Sequence, residues 1–488
     1  MSEGGKPQSI AGDARGLFVV TTVAIGCSLT AFAPELGIGR PGPGTTTLES
    51  ALIQAYQNNP QLNAQRASTR ASDENVPIAL SGYRPRISGT ASLTEQHLDF
   101  VTKGSTPGGA VYPRTQGTVA VPGAGLTVSQ TLFNGFQTAN LTRQAESLVF
   151  AARETLRTIE QSTLLNAAIA YMNLLAAAAI LELQRSNVIV LEAMLRQTLD
   201  RFSNGEVTRA DVAQAEASLA SGKSQRAVAE SNYNMSKAQY RQAIGVDAPA
   251  RLAAATPVDR LIPRTLAASI ERGRKEHPTI ATAMYNVDVA SRQVKIAESA
   301  LSPTLSVVGN VQKNWGSTSA LTVTEHLSAS VAAQLMVPLY QGGAEFAAIR
   351  QAKEILGQRR LDLDATRDQV QATVAQAWSQ LEAAKITITT TQAQVAASEI
   401  ALNGVGEEAL AGQRTTLDVL NAQQALVNAR TALVIARRDR VVATYIVLAA
   451  VGSLSPQVLG LKIPVYSPMV HYQQVRDAWG GVRTPDGR

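Results

Sequence analysis

Two hydrophobic periods alternate along this chain, and each occurs twice. Leu327, Ala329, Val331, Ala333, Leu335 and Val337 alternate with Ser328, Ser330, Ala332, Gln334 and Met336. A period of two sends the two sets to opposite faces, so the segment is predicted as a strand with one apolar side. Its partner begins at Leu305. In the first half Ile87, Gly89, Ala91 and Leu93 alternate with Ser88, Thr90, Ser92 and Thr94, and Leu126 to Phe133 forms the return strand. The predicted strand pairs are 86–96 with 118–133, and 304–314 with 326–338. Gly104-Ser105-Thr106-Pro107-Gly108-Gly109 and Gly316-Ser317-Thr318-Ser319, which lie between the partners, read as turns or exposed loops.

After each return strand the period becomes helical. Val370, Val374, Ala377, Leu381, Ala384, Ile388, Thr391, Val395, Ser398, Leu402 and Val405 step by four and three without a break, which is a heptad seam. Small residues along it let neighbouring helices approach closely. A helix of about 70 residues is on the order of 100 Å long, a rod no compact globule needs. The chain turns at Ser203-Asn204-Gly205 and at Leu410-Ala411-Gly412, and a shorter helix runs back to Gly245 or Gly452. One helix is expected before each strand pair, from Leu48 to Leu80 and from Leu266 to Ala300. Stacked end to end on the returning helix, it would match the length of the long one.

The two halves are copies. Asn58-Asn59-Pro60-Gln61-Leu62 returns as Glu276-His277-Pro278-Thr279-Ile280, and Tyr83-Arg84-Pro85-Arg86-Ile87 as Leu301-Ser302-Pro303-Thr304-Leu305, both 218 positions on. Leu132-Phe133-Asn134-Gly135 returns as Leu339-Tyr340-Gln341-Gly342, the turn at Gly205 as that at Gly412, and Ala243-Ile244-Gly245 as Ala450-Val451-Gly452, all 207 positions on. Five anchors in one order define a duplication. The organisation expected is a first repeat over 45–250 with its tip near 205, a linker over 251–265, a second repeat over 266–455 with its tip near 412, and a C-terminal tail over 456–488, irregular from Leu461 to Arg488.

Composition fits such rods. Only 5% of the 488 residues are aromatic, and the 44 basic and 38 acidic residues, net +6, are interleaved, so no nucleic-acid surface is implied. Lys6 and Arg15 precede the short apolar run Leu17 to Gly26, the pattern of a signal peptide over 1–33 that ends at Ala31-Phe32-Ala33; Ala24-Ile25-Gly26-Cys27 also allows acylation of Cys27, the chain's one cysteine. Either route implies export. Thr163–Leu183 carries Asn166 and Asn173, and Val441–Leu454 is short of the roughly 20 residues a span needs, so neither reads as a transmembrane helix. A membrane crossing would then be made by strands.

Signal segment, helix, strand, loop, strand, very long helix, glycine turn and shorter helix, all duplicated, resemble the TolC family of outer-membrane factors across nearly the whole mature chain. Val128-Ser129-Gln130-Thr131-Leu132-Phe133-Asn134-Gly135, Val337-Pro338-Leu339-Tyr340-Gln341-Gly342-Gly343 and the two tips carry the likeness. The resemblance implies a mixed α and β fold, with four transmembrane strands per protomer in a twelve-stranded barrel shared by a homotrimer in the Gram-negative outer membrane, and coiled-coil helices forming a periplasmic α-barrel. It further implies an exit duct for type I protein secretion or drug efflux, passive and without cofactor. Its partners would be a periplasmic adaptor (membrane fusion protein), an inner-membrane ABC or proton-driven pump, and outer-membrane lipid. Four strands cannot close on themselves, so oligomerisation follows independently from the sheet edges; the number three comes from the resemblance.

By the same resemblance the gate residues are Asp211, Arg414, Asp418 and Asn421, and the adaptor-contact tips are Gly205, Glu206, Val207, Thr208, Gly412, Gln413, Arg414 and Thr415. The family pattern has a second Asp at the place of Asn421 and a Tyr at that of Ala409, which implies a weaker latch. Aspartates repeated by symmetry in a narrow throat would favour cations. The plainer reading is that Thr208, Asp211, Thr415 and Asp418 cap the returning helices, and both readings can hold. His97, His277, His326 and His471 show no ligand spacing and read as surface or loop residues, and Gly222-Lys223-Ser224 lacks the earlier glycine of a phosphate loop. No catalytic or metal motif is expected. The competing functional class is a periplasmic coiled-coil adaptor or tether, which has no reason to repeat a strand pair before each long helix.

Overall fold

The computed structural model describes residues 46–315, 325–485 and 487. The expected signal segment, Cys27 and the loop from Gly316 to Ser319 lie outside the described residues. The first copy contains α1 (Leu48–Asn58), α2 (Pro60–Asp73), α3 (Asn75–Leu80), β1 (Arg86–Val101), β2 (Gly104–Thr106), β3 (Gly109–Val111), β4 (Arg114–Asn134), α4 (Gln137–Ser203) and α5 (Arg209–Ile244). The second contains α6 (Leu266–Glu276), α7 (Pro278–Ser299), β5 (Thr304–Trp315), β6 (Glu325–Met336), α8 (Ala344–Leu410) and α9 (Thr416–Ala450), and α10 (Pro468–Val475) follows.

Four strands form one antiparallel sheet in the order β1-β4-β5-β6. Cross-strand partners share a face, and the register sorts the residues by polarity. Ile87 pairs with Val128, Gly89 with Leu126 and Ala91 with Ala124, while Val311 pairs with Ala329 and Leu305 with Leu335. The other face carries Ser88 with Thr127, Thr90 with Gly125, Asn310 with Ser330 and Ser306 with Gln334. Leu93, Val331, Leu327 and Leu335 on the first face are widely exposed. An exposed apolar sheet face is costly in water and natural in lipid, at roughly 25 cal/mol per Å². β1 and β6 are both open edges within the chain.

The strands of the first copy run beyond the predicted 86–96 and 118–133, and the expected glycine loop holds the small hairpin β2–β3. Its residues lack the apolar alternation that would have marked a strand. β6 ends at Met336 and not at 338, although the alternation continues to Val337. A ladder requires a partner, and beyond Met336 no described segment supplies one.

α4 and α8 are each 67 residues long, about 100 Å of helix. Val370, Val374, Ala377, Leu381 and Ala384 of the heptad seam are buried, and Ile388, Thr391, Val395, Ser398, Leu402 and Val405 are half-buried. The most apolar window of α4 has a mean hydropathy of 1.9 and is half buried. Its Leu164, Ala167, Ala168, Tyr171 and Leu174 belong to the central core.

The helices expected over 48–80 and 266–300 are each broken. Pro60 and Pro278 lack the N–H a helix interior needs, so each starts a new helix at its first position. Only α2 and α7 continue the line of the returning helices. At the first splice the Asn59 side-chain oxygen accepts from the N–H groups of Gln61 at 2.9 Å and Leu62 at 3.1 Å, while its amide donates to the Ala243 carbonyl at 2.8 Å. One side chain thus serves the start of α2 and the end of α5. Gly245 fits because a Cβ would lie 3.0 Å from the Asn58 carbonyl oxygen. At the second splice His277 Nδ1 accepts from Thr279 N–H at 3.2 Å, and a Cβ on Gly452 would lie 2.7 Å from His277 Cα.

α1 packs on α4 and α5, α6 packs on α8, and Thr46 bridges Leu252 of the 251–265 linker. Tyr171 Oη donates to the carbonyls of Thr46 at 2.9 Å and Ala253 at 2.7 Å, tying that linker to α4. Leu52, Tyr56, Leu62, Tyr240, Ile244, Leu448 and Leu454 fill the largest core at this level. The tail is not irregular throughout: α10 packs on α2, and His471 lies 3.0 Å from the fully buried Asp73 carboxylate, with Arg153 at 3.6 Å. His471 is therefore a buried structural residue, not a surface one. Eight helical residues are too few for periodicity to reveal.

Candidate functional site: the paired hairpin tips

Each long helix ends in the same turn. Gly205 has φ 79° and Gly412 has φ 76°, the left-handed conformation that residues with a Cβ resist. Glu206 N–H donates to the Arg201 carbonyl and Gly205 N–H to that of Phe202, both at 2.9 Å; Gln413 to Glu408 at 2.9 Å and Gly412 to Ala409 at 3.2 Å repeat the pattern. These pairs close a Schellman turn and satisfy the last carbonyls of α4 and α8. The returning helices then begin with full capping boxes. Asp211 accepts from Thr208 N–H at 2.9 Å while Thr208 Oγ1 accepts from Asp211 N–H at 3.3 Å. Asp418 and Thr415 do the same at 3.0 and 3.3 Å.

Asp211 and Asp418 are thus not brought together within one chain; each is engaged by its own threonine. Hydrogen bonds from the Thr208 side chain and backbone hold the Asp211 carboxyl below the ordinary aspartate range, and those from the Thr415 backbone and side chain do so for Asp418. Arg414 Nε donates to Glu408 at 2.8 Å, which raises the guanidinium further, and Asp418 adds to the same field. Asn421 is exposed one turn into α9 and has no side-chain partner among the described residues. Gly205, Glu206, Gly412, Gln413, Arg414 and Thr415 are exposed, and Val207 is half-buried.

The tips are braced with opposite polarity. Arg201 pairs with Glu206 at 3.2 Å in the first copy, whereas Glu408 pairs with Arg414 in the second. Arg201 and Glu408 occupy matching places in the repeat, whereas Glu206 matches Gln413 and Arg414 matches Val207, so comparing the copies position by position exposes only the long-helix member of each brace. Between the hairpins α4 packs on α9, where Gln423 donates to the buried Asn187 at 3.0 Å and Leu191, Ala215 and Leu420 form a small core. Tipward of this bond a groove of about 440 Å³ opens between α4, α8 and α9, lined by Val190, Met194, Leu402, Leu410, Leu420 and Gln423. No short motif marks it, because its residues come from three distant segments.

A four-stranded sheet with one apolar face and two free edges, carried on helical rods about 100 Å long that end in paired tight turns, defines a protomer of an outer-membrane channel. The family model described as outer membrane efflux protein matches residues 51–246 and 270–453. The chain is 40% identical over 442 residues to the outer membrane efflux protein BepC of Brucella suis, spanning 91% of this chain and 93% of that one. It is 24% identical over 440 residues to the outer membrane protein TolC of Escherichia coli, 86% of each chain. The CmeC outer membrane channel of Campylobacter jejuni superposes with a TM-score of 0.72 at 17% identity, over 88% of this chain and 89% of that one. The chain belongs to the outer membrane efflux protein family, with the TolC-like mixed α and β fold and an outer-membrane location.

Proposed function

We propose that three copies of this chain assemble into a passive exit duct, twelve strands closing a barrel in the outer membrane and the helices closing a periplasmic tunnel. The observation that carries this reading is the open sheet. Edges β1 and β6 would leave unpaired backbone groups in lipid, a cost of several kcal/mol for each group, unless other copies close them. The adaptor or tether alternative gives the exposed apolar face nothing to contact. Efflux is the cargo class favoured, from the 40% identity to a protein named for it.

At the far end the tips serve as gate and docking site. Asp211, Arg414, Asp418 and Asn421 constrict the tunnel mouth, and Gly205, Glu206, Val207, Thr208, Gly412, Gln413, Arg414 and Thr415 meet a periplasmic adaptor, which links the duct to an inner-membrane pump, ABC or proton-driven. The exposed turns and the groove beside them support this reading. Cap chemistry and gating coexist, since a capping carboxylate keeps its charge and still presents it to the throat. Native mass measurement of detergent-extracted outer-membrane protein tests the assembly: a mass of three chains is expected, and a monomer would contradict it.

A further inference from the structure

Within the chain the two repeats meet at the seam between β4 and β5, and the duplication transfers that seam to the junction between copies. Phe133 pairs with Leu305 and Asn134 with Thr304, and a Cβ built on Gly135 would clash with the Ser302 Cβ. Through the repeat offsets Phe133, Asn134 and Gly135 become Tyr340, Gln341 and Gly342, while Leu305, Thr304 and Ser302 become Ile87, Arg86 and Arg84. Both halves of this second seam are open here. Gly342 has nothing within 4 Å, and Leu339 and Tyr340 are 93% and 78% exposed. β6 stops at Met336, whereas its counterpart β4 continues to Asn134 because β5 pairs with it. Facing is preserved too: the transferred register sets Leu335 opposite Ala91 of the next copy, and both lie on the apolar face.

Two arginines break the likeness: Arg86 stands where the internal seam has Thr304, and Arg84 is the one set against the glycine. Where the internal seam has Ser302, the open seam has Arg84, and even a serine already crowds the glycine opposite. An arginine side chain pointing across the seam would occupy the space that Gly342 of the next copy needs. Here that side chain is drawn aside. Its guanidinium stacks on the Trp479 ring, 4.6 Å from the centroid, and Nη1 donates to the Ala478 carbonyl at 2.6 Å. Both residues follow α10, which the His471–Asp73 pair at 3.0 Å and the packing of Tyr472 against Val76 and Val149 fix beside α2 and α4. Trp479 remains 76% exposed, so it has surface left for a neighbour.

We propose that the C-terminal segment is an assembly clasp whose partner is a second copy of this chain: Trp479 holds Arg84 clear of the seam so that the next copy's Leu339–Gly342 segment docks there. The proposal rests on the homo-oligomeric reading above. It is tested by heating outer-membrane extracts in mild detergent and measuring the fraction of oligomer left. Trp479→Ala is expected to lower that fraction several-fold at a temperature where half the native oligomer survives. Arg84→Ser, which restores the internal seam's residue, should keep the native value alone and return Trp479→Ala to it. An unchanged oligomer in Trp479→Ala, or failure of Arg84→Ser to rescue it, would overturn the clasp. The assembly itself is read separately, by mixing differently tagged chains bearing Leu335→Cys or Ala91→Cys, with the native chain and its Cys27 as background. A mixed crosslink supports closure by these edges and leaves the clasp to stand or fall on Trp479; no crosslink sinks both.

Discussion

Asp211 and Asp418 close capping boxes, and the gate duty proposed for them can be separated from capping by the side chain put in their place. Asparagine at either position keeps an acceptor for the N–H of the N-cap threonine and removes the charge, while alanine removes both and leaves the threonine's own cap bond in place. If the carboxylates line the throat, the double Asn variant should lose block by multivalent cations while the turns stay protected in amide exchange. Unchanged block would assign both residues to capping alone. The pairing of Thr with Asp three positions on was legible in the sequence, because a capping box is a local pattern. The Arg201–Glu206 and Glu408–Arg414 braces were not, since they span turns whose closure the residue order does not display.

At the scale of elements, the splices are where the two copies differ in chemistry. Asn59 cannot titrate, but His277 can, and burial pushes its imidazole below the ordinary histidine value of about 6.5, with Arg157 acting in the same direction. A depressed histidine binds fewer protons folded than unfolded, so its contribution is full above the unfolded pKa and is lost as pH falls through the folded one. Thermal stability should therefore decline below about pH 6.5, and His277→Asn, which copies the first splice, should flatten the profile. An identical acid decline in that variant would place the titration elsewhere. The strand alternation and the heptad seam were readable because burial on one face repeats along an element. The breaks at Pro60 and Pro278 were present as repeat anchors, yet their meaning depends on which helix the next segment continues, a tertiary fact. α10 and the buried Asp73–His471 pair depend on contacts almost 400 positions apart, about which local pattern is silent.

For the whole molecule, duplication sets the width of the protomer. Four strands lie above, and each long rod, α4 or α8, has a spliced rod beside it, α5 with α2 and α9 with α7. On the proposed assembly, equal numbers of strands and rods would then close into coaxial tubes. Repeat anchors carried that architecture in the sequence. What they could not carry is the groove between hairpins and the crossing of the tail to the seam, both built from residues that no repeat relates. Single-channel recording of the purified protein in a planar bilayer tests the duct most directly. Discrete, uniform conductance steps are expected and, on the proposed gate, small at rest and larger when Arg414→Ser releases the second-copy brace; a protein that stays soluble and passes no current would contradict the account.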